Sequence, residues 1–244
     1  LAGDAMFQTG DGVQRMEGNP IDVPSGRIAG GTQSIPEALL ARLPDPVVSL
    51  SDPVTQIEIT SDGVAVHSAS GTTMAHEVVL ALPPALALQR IDFGGALAES
   101  VERLCVSTPV WMGSSVKVVA HYQRPFWRDH GLAGAAFSHL GPLGELHDMS
   151  GPEGVNPAIF GFSRPAPGEP APTSQAVIAQ LTALFGPSAA EPTEILIQDW
   201  RKEPFTSPPN VSDLTQYQLF GHPSYQEPMA NGRLHWSSTE TATS

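Results

Sequence analysis

"GRLHWSSTETATS" (residues 232–244) reads as a short buried strand running into a helix cap. Leu234 and Trp236 are apolar and favour strand. Ser237, Ser238 and Thr239 are residue types that open helices, and Glu240 places negative charge where a helix's first turn favours it. A strand that delivers a cap needs a sheet to belong to and something for the cap to serve. A second segment, "HEVVLALPP" (residues 76–84), has the same apolar character. Its continuous run over 78–82, stopped by Pro83 and Pro84, fits a strand buried on both faces, as in a parallel sheet.

Working outward, "SIPEALLARL" predicts a helix. Ser34 can cap it, Glu37 completes a capping box, and Ile35, Leu39 and Leu40 supply an apolar stripe. The preceding "GGTQ" brings Gly30 and Gly31 to a helix start, where backbone approaches a ligand closely or simply turns. "VTQIEIT" alternates, "SDG" at residues 61–63 signals a hairpin, "VAVHS" returns, and "SGT" turns again. Meander strands are thus expected near 54–60, 64–68 and 77–82. A helical stretch around 96–104 leads to the strand "SSVKVVAHY", which ends in the corner "QRPFWRDHG". "TSQAVIAQLTALFG" is a helix capped by Thr173 or Ser174 and stopped by Gly186. "EILIQDW" is a further strand. Residues 1–31, 140–173 and 203–230 read as Gly- or Pro-rich and irregular. The fold class is α+β or α/β, with a mixed sheet in the middle of the chain.

Composition narrows the function. The 244 residues, with 41% hydrophobic, are enough for one large or two modest domains with a real core. A formal net charge of −13 repels phosphate backbones, which excludes nucleic acid as the expected partner and mildly favours cationic small molecules. The single cysteine, Cys105, lies in an apolar run and reads as a buried inert thiol. There is no membrane span and no signal-peptide pattern, so a cytoplasmic protein is expected.

Most chemical motifs are absent. The sequence has no GxGxxG, Walker A, HExxH, CxxC or GxSxG, and its eight histidines show no metal-ligand spacing. His121, His139 and His147 read as ordinary loop or strand residues. Lys117 stands out in the middle of "SSVKVVA". Strand alternation alone turns it to solvent, whereas burial requires a partner for its ammonium. Trp127 and Trp200 read as core aromatics on pattern alone.

The ordered set "RIAGGTQSIPEAL", "VVLALPP", "SSVKVVAHYQRPFWR", "DW" and "GRLHWSSTETAT" resembles the flavin-containing monoamine oxidase family, which includes polyamine and L-amino-acid oxidases. "PFWR" and "TETAT" are its specific parts. The resemblance implies a two-domain FAD-linked enzyme with a partial FAD-binding domain over 1–84, a substrate-binding domain over 85–210 and a return to the FAD domain over 211–244. It implies oxidation of a primary or secondary amine, with hydride passing to flavin N5 and with imine and hydrogen peroxide as products. Molecular oxygen is the second substrate. It implies that Lys117 holds a water at flavin N5 as the catalytic residue. Trp200 would line the flavin pocket, Gly30 and Gly31 would pass near the ring, and Val54 would pack by the adenine. Ser238, Thr239 and Glu240 would cap toward the flavin.

Departures from the family qualify this. These residues carry no strand–GxGxxG–helix for the FAD pyrophosphate and no helix after the cap, so the chain reads as a fragment that alone is inactive. The covalent-flavin cysteine of some members falls near Pro209 and Asn210. FAD is therefore expected to be non-covalent, with Asn210 at the substrate where part of an aromatic cage stands in relatives. The family glycine before Thr239 is Ser238. "EGNPIDVPSG" (residues 17–26) reads as an insertion. Two other readings stay open: a non-catalytic remnant or binding module, and one chain of a split enzyme completed by a complementary FAD-domain chain. Uncovered apolar surface around 78–82 would favour self-association.

Overall fold

A computed structural model describes residues 3–20, 28, 30–45, 47–208 and 217–243. Along the chain run β1 (Asp4–Thr9), β2 (Gly12–Met16), α1 (Ser34–Leu40), β3 (Val54–Ile59), β4 (Val64–Ser68), β5 (Gly71–Ala75) and β6 (Val78–Leu80). Then follow α2 (Pro84–Arg90), α3 (Glu99–Ser107), β7 (Val116–His121), α4 (Phe126–Asp129), β8 (Leu132–Ser138), β9 (Glu145–Asp148), β10 (Ala158–Ser163), α5 (Ser174–Phe185), β11 (Glu194–Asp199) and β12 (Leu234–Trp236). The chain divides into two compact units, Leu1–Leu43 with Ser115–Asp199 and Pro44–Ser114 with Trp200–Ser244. The roles expected for 1–84, 85–210 and 211–244 are assignments by cofactor and substrate. Compactness divides the chain at other positions.

The first unit is built on a seven-stranded sheet in the order β11-β7-β10-β9-β8-β1-β2. It is mixed, because β1 runs parallel to β8 while the other neighbours are antiparallel. Alternation in β7 buries Val116, Val118 and Ala120 and leaves Lys117, Val119 and His121 half-buried. Val118, Ala120, Leu146 and Ile159 join Val177, Leu181 and Leu184 of α5 in one core. The helix α5 starts where Ala176 N donates to Thr173 Oγ1 at 3.2 Å and stops at Gly186, whose φ of 88° favours glycine. Its buried Gln180 bonds the backbone of Leu140 and Leu143.

The "PFWR" corner explains its own composition. Tyr122, Phe126 and Trp127 pack edge to face, and Trp127 is fully buried. Asp148 Oδ2 accepts from Trp127 Nε1 at 2.8 Å and from Arg128 Nε and Nη2 at 2.9 and 2.8 Å, while Oδ1 accepts from Ser150 N at 2.7 Å. Burial pushes the Asp148 carboxyl upward, but the bonds from Ser150, Trp127 and Arg128 outweigh it and hold its pKa below the ordinary carboxylate value. Gly134 passes directly over this network with φ 69°. A Cβ there would stand 2.7 Å from both Asp148 Cβ and Trp127 Nε1.

In the second unit, β3, β4 and β5 form the meander, and β6 pairs in parallel with β12, Val78 opposite Leu234 and Trp236 opposite Leu80. Leu80, Leu234 and Trp236 pack with Ile57, Val64, Ala87 and Cys105. Thr108 Oγ1 and Tyr225 Oη lie 2.7 Å apart in this core, and burial raises the Cys105 thiol to about 11, as suits an inert thiol.

Several expectations are corrected. The third meander strand is Gly71–Ala75, whereas the 77–82 segment contributes only Val78–Leu80 and belongs to the parallel pair. Ser34 does not cap α1. It is the helix's first residue, its Oγ donates to Gly31 O at 2.7 Å, and Gln33 precedes it with no side-chain cap bond. A capping residue stands just outside the helix, and Ser34 already belongs to its first turn. The stripe of α1 is exposed, Leu39 at 59%. The helix expected at 96–104 lies at Glu99–Ser107. The hairpin β1–β2 and strands β9 and β10 occupy stretches read as irregular. Their Gly and Pro density marks the turns and masked the short strands between them. Among the described residues, no helix is long and apolar enough to cross a membrane.

Asp148→Ala should cost about 3–5 kcal/mol in urea unfolding, because it strands Arg128 and Trp127 Nε1 without their acceptor. Since the folded pKa is depressed, the wild type keeps this stabilisation above the unfolded carboxylate value of about 3.9 and loses it as pH falls through the lower folded value. The alanine variant should lack that acid-side decline.

Candidate functional site

Parallel strands aim their carboxyl ends the same way, and ligands favour the crevice beyond those ends. Beyond β6 lie Ala81, Leu82 and Pro83. Beyond β12 lie Ser237, Ser238, Thr239 and Glu240. Both sets line one cavity of about 490 Å³, which Val110, Trp111 and Thr206 complete. One part of the wall is apolar, from Leu82, Pro83, Val110 and Trp111. The other is hydroxyl-rich. Next to Thr206 in sequence, the buried Ser207 Oγ has no hydrogen-bond partner among the described residues.

Where the sequence announces a helix cap, the described residues form a hydrogen-bonded turn at 238–241 with no helix after it. Thr241 N and Ala242 N both donate to Ser238 O at 3.1 Å and close this turn. Ser238 N donates to Thr241 Oγ1 at 2.8 Å. Glu240 is only 3% exposed. Its Oε1 accepts from Trp111 N at 2.9 Å and its Oε2 from Ser238 Oγ at 3.0 Å. The carboxylate therefore ties the turn to the segment at 110–111, and the hydroxyl that replaces the family glycine occupies its second oxygen. The cavity is thus two-sided, with hydroxyl-bearing residues on one wall and an apolar platform on the other.

In the first unit, Lys117 is half-buried on the sheet face opposite Val118 and Ala120. Its Nζ lies 6.0 Å from the centroid of Phe162, within cation–π range. Alternation thus turns Lys117 away from the core, onto a face furnished with aromatic rings.

The other expected residues are scattered over these two units. Gly30 and Gly31 are exposed ahead of α1, and Gly31 has φ 77°. Val54 opens β3 and packs against the second unit's core. Trp200 is half-buried at the start of a 3₁₀ turn, Trp200–Lys202. Asn210 lies outside the described residues. Ala81, Val110, Trp111 and Thr206 were not singled out by sequence. The first has a signal in "ALPP" after a buried strand, whereas Thr206 sits in a Pro-rich stretch with none.

The model of the flavin-containing amine oxidoreductases matches residues 4–244. The chain belongs to this family. Within the family, the "Probable flavin-containing monoamine oxidase A" of Dictyostelium discoideum is 30% identical over 227 residues, covering 89% of this chain and 48% of that protein. An "L-amino acid dehydrogenase" of Synechocystis sp. is 30% identical, covering 87% of this chain and 45% of its own. The amine oxidase fold is shared with putrescine oxidase solved with putrescine bound, at a TM-score of 0.71 and 26% identity over 87% of this chain and 49% of that one. The chain spans about half the length of the relatives it matches.

Glu240→Ala should lower stability by about 1–3 kcal/mol, because Trp111 N loses its acceptor inside the protein. Glu240→Gln, which keeps one acceptor oxygen, should recover most of the loss in thermal unfolding. Equal losses for the two variants would remove the anchoring role.

Proposed function

We propose that this chain is part of an FAD-dependent amine oxidase that holds its flavin non-covalently. The observation that carries the reading is the cavity beyond the paired ends of β6 and β12, with the 238–241 turn on its rim. When bound, FAD would accept a hydride from the amine carbon and pass the electrons to oxygen, with imine and hydrogen peroxide as products. The chain's own residues bind and orient. Thr239 offers its hydroxyl to ligand oxygens, and Ser238, whose N–H and hydroxyl are engaged by Thr241 and Glu240, holds the turn in place beside it. Leu82, Pro83 and Val110 exclude water from one side of the cavity. Lys117 presents a fixed ammonium on its sheet face, suited to hold a water for proton transfer. Trp200, Gly30, Gly31, Val54 and Asn210 keep the binding roles that the family resemblance gives them.

The reading includes a complementary segment. A two-stranded parallel sheet is normally covered on both faces, yet Val79 of β6 is 62% exposed. We infer that a strand–GxGxxG–helix element, in a longer polypeptide or a second chain, completes it. Without that element the exposed surface drives self-association.

The test is purification of these 244 residues alone and together with a GxGxxG-bearing segment from a relative. The chain alone should be flavin-free, and the pair should show a flavin absorbance band and make peroxide from amines. Flavin-free, inactive pairs would defeat the proposal. In the active pair, Lys117→Met should slow turnover about 100-fold or more while leaving the unfolding midpoint near wild type. Unchanged turnover would remove Lys117 from the site.

A further inference from the structure

The chain has four asparagines, and the residue after each decides whether its side-chain amide can react with the backbone. Asn19 and Asn156 precede Pro20 and Pro157, whose nitrogens carry no proton to lose. Asn210 precedes Val211, whose branched side chain crowds its own nitrogen. Asn231 precedes Gly232, which has no side chain to shield the nitrogen. The surroundings are open as well, since a Cβ added at Gly232 would meet no atom within 4 Å.

The fold sets this pair at the tip of an exposed turn. Ala230, Asn231 and Gly232 all have positive φ, at 51°, 59° and 85°. Asn231 and Gly232 are both exposed. Asparagine enters the left-handed region more readily than other side chains, whereas alanine does so only under strain. The base of the turn is closed. Met229 N donates to Leu234 O at 2.8 Å, and Met229 O accepts from Gly232 N, Arg233 N and Leu234 N at 3.1, 3.0 and 3.1 Å. Trp236 Nε1 donates to Met229 Sδ at 3.3 Å across the same loop. From here the chain enters β12, and residues 237–240 beyond it line the cavity.

We propose that Asn231 is a site of spontaneous covalent modification, where Gly232 N displaces ammonia from the side-chain amide, and that the isoaspartate formed there loosens β12. In the first step the bond from Gly232 N to Asn231 Cγ forms and the Cγ–Nδ2 bond breaks. The product is a cyclic succinimide, and the proton of Gly232 N leaves with the ammonia. In the second step water adds to either ring carbonyl and that carbonyl's bond to the ring nitrogen breaks, leaving aspartate or isoaspartate. Water is the only co-reactant, and the chemistry does not depend on the flavin-binding reading. The bond from Gly232 N to Met229 O must open first, so the folded turn slows the reaction, and exposed turns are among the segments that open most readily. Aspartate keeps the original main chain. Isoaspartate routes the main chain through the side chain and lengthens it by one methylene. The two-way bonding of Met229 with Leu234 then no longer fits the loop, and β12 loses the closure that precedes its pairing with β6.

The test ages the 244-residue chain in mildly alkaline buffer and reads it by ion exchange and by peptide mapping with mass spectrometry. An acidic form should accumulate, with amide loss and isoaspartate in the peptide that holds residue 231. Asp11–Gly12 and Asp62–Gly63 can form the same ring, but they have no amide to lose and add nothing to the acidic form. Asn231→Gly keeps the positive φ without a side-chain amide, and it should yield no acidic form. The aged wild type should unfold about 2–4 °C below the fresh protein, and aged Asn231→Gly should match its own fresh sample. Amide loss at Asn210 ahead of Asn231, an acidic form that persists in Asn231→Gly, no amide loss at 231, or an unchanged midpoint in isoaspartate-bearing protein would overturn the proposal.

Discussion

The antiparallel register of β7 against β10, and of β10 against β9, is the constraint on which the first unit depends. Side chains in a strand alternate faces, so a slip of one residue would carry Lys117 into the core and Val118 out of it. An ammonium among Leu146, Ile159 and Leu181 would have to be dehydrated there, at a cost no nearby aliphatic side chain offsets. The buried set Val116, Val118 and Ala120 therefore fixes the register, and the register aligns Lys117, Phe162 and Glu145 on the other face. Core packing and site geometry are two sides of one alternation.

The "PFWR" corner holds that arrangement at its end. A bulky aromatic cluster follows β7, and its two polar handles, Trp127 Nε1 and the Arg128 guanidinium, need an acceptor inside the protein. Asp148, the last residue of β9, supplies it. The carboxylate thus joins the turn after β7 to the strand that carries Glu145 and His147. A motif that looks like a signature in sequence is in structure a charge-assisted brace, which explains why these residue types occur together.

The second unit solves a different problem. Two short parallel strands expose backbone groups beyond their carboxyl ends, and the chain follows one with the hydrogen-bonded turn at 238–241 and the other with Pro83 and Pro84. Glu240 is buried without a cation among its two hydrogen-bond partners, both of which are neutral donors. Such a group is tolerated because each oxygen is satisfied. It fixes the position of the segment at 110–111 relative to the turn, so the cavity wall is held by a polar contact and does not depend on packing alone.

The sequence by itself determined the strongly periodic elements. The alternation of 54–60, the hairpin glycine at 63, the capped helix at Ser174–Phe185 and a parallel-sheet strand near 78 were all legible, because period and turn chemistry are local properties, whereas the burial of that strand on both faces was not met, Val79 being exposed. The position of Lys117 on the non-core face of β7 was legible from alternation, and the 237–240 segment was legible as a break after a strand, though it forms a turn and not a helix cap. The sequence reading missed β9 and β10, because strands of four and six residues between Gly- and Pro-rich turns carry too few periods to register. It also mistook Ser34 for a cap, where that residue is already the first of the helix. His147 read as an ordinary strand residue. Only the tertiary structure decided that it pairs with Glu145 on the face that carries Lys117, and that Val78–Leu80 leaves the meander to join Leu234–Trp236. Those are pairings between residues far apart in the chain. Register and partner choice come from burying one face of each strand in a shared core, and no window of local sequence contains that information.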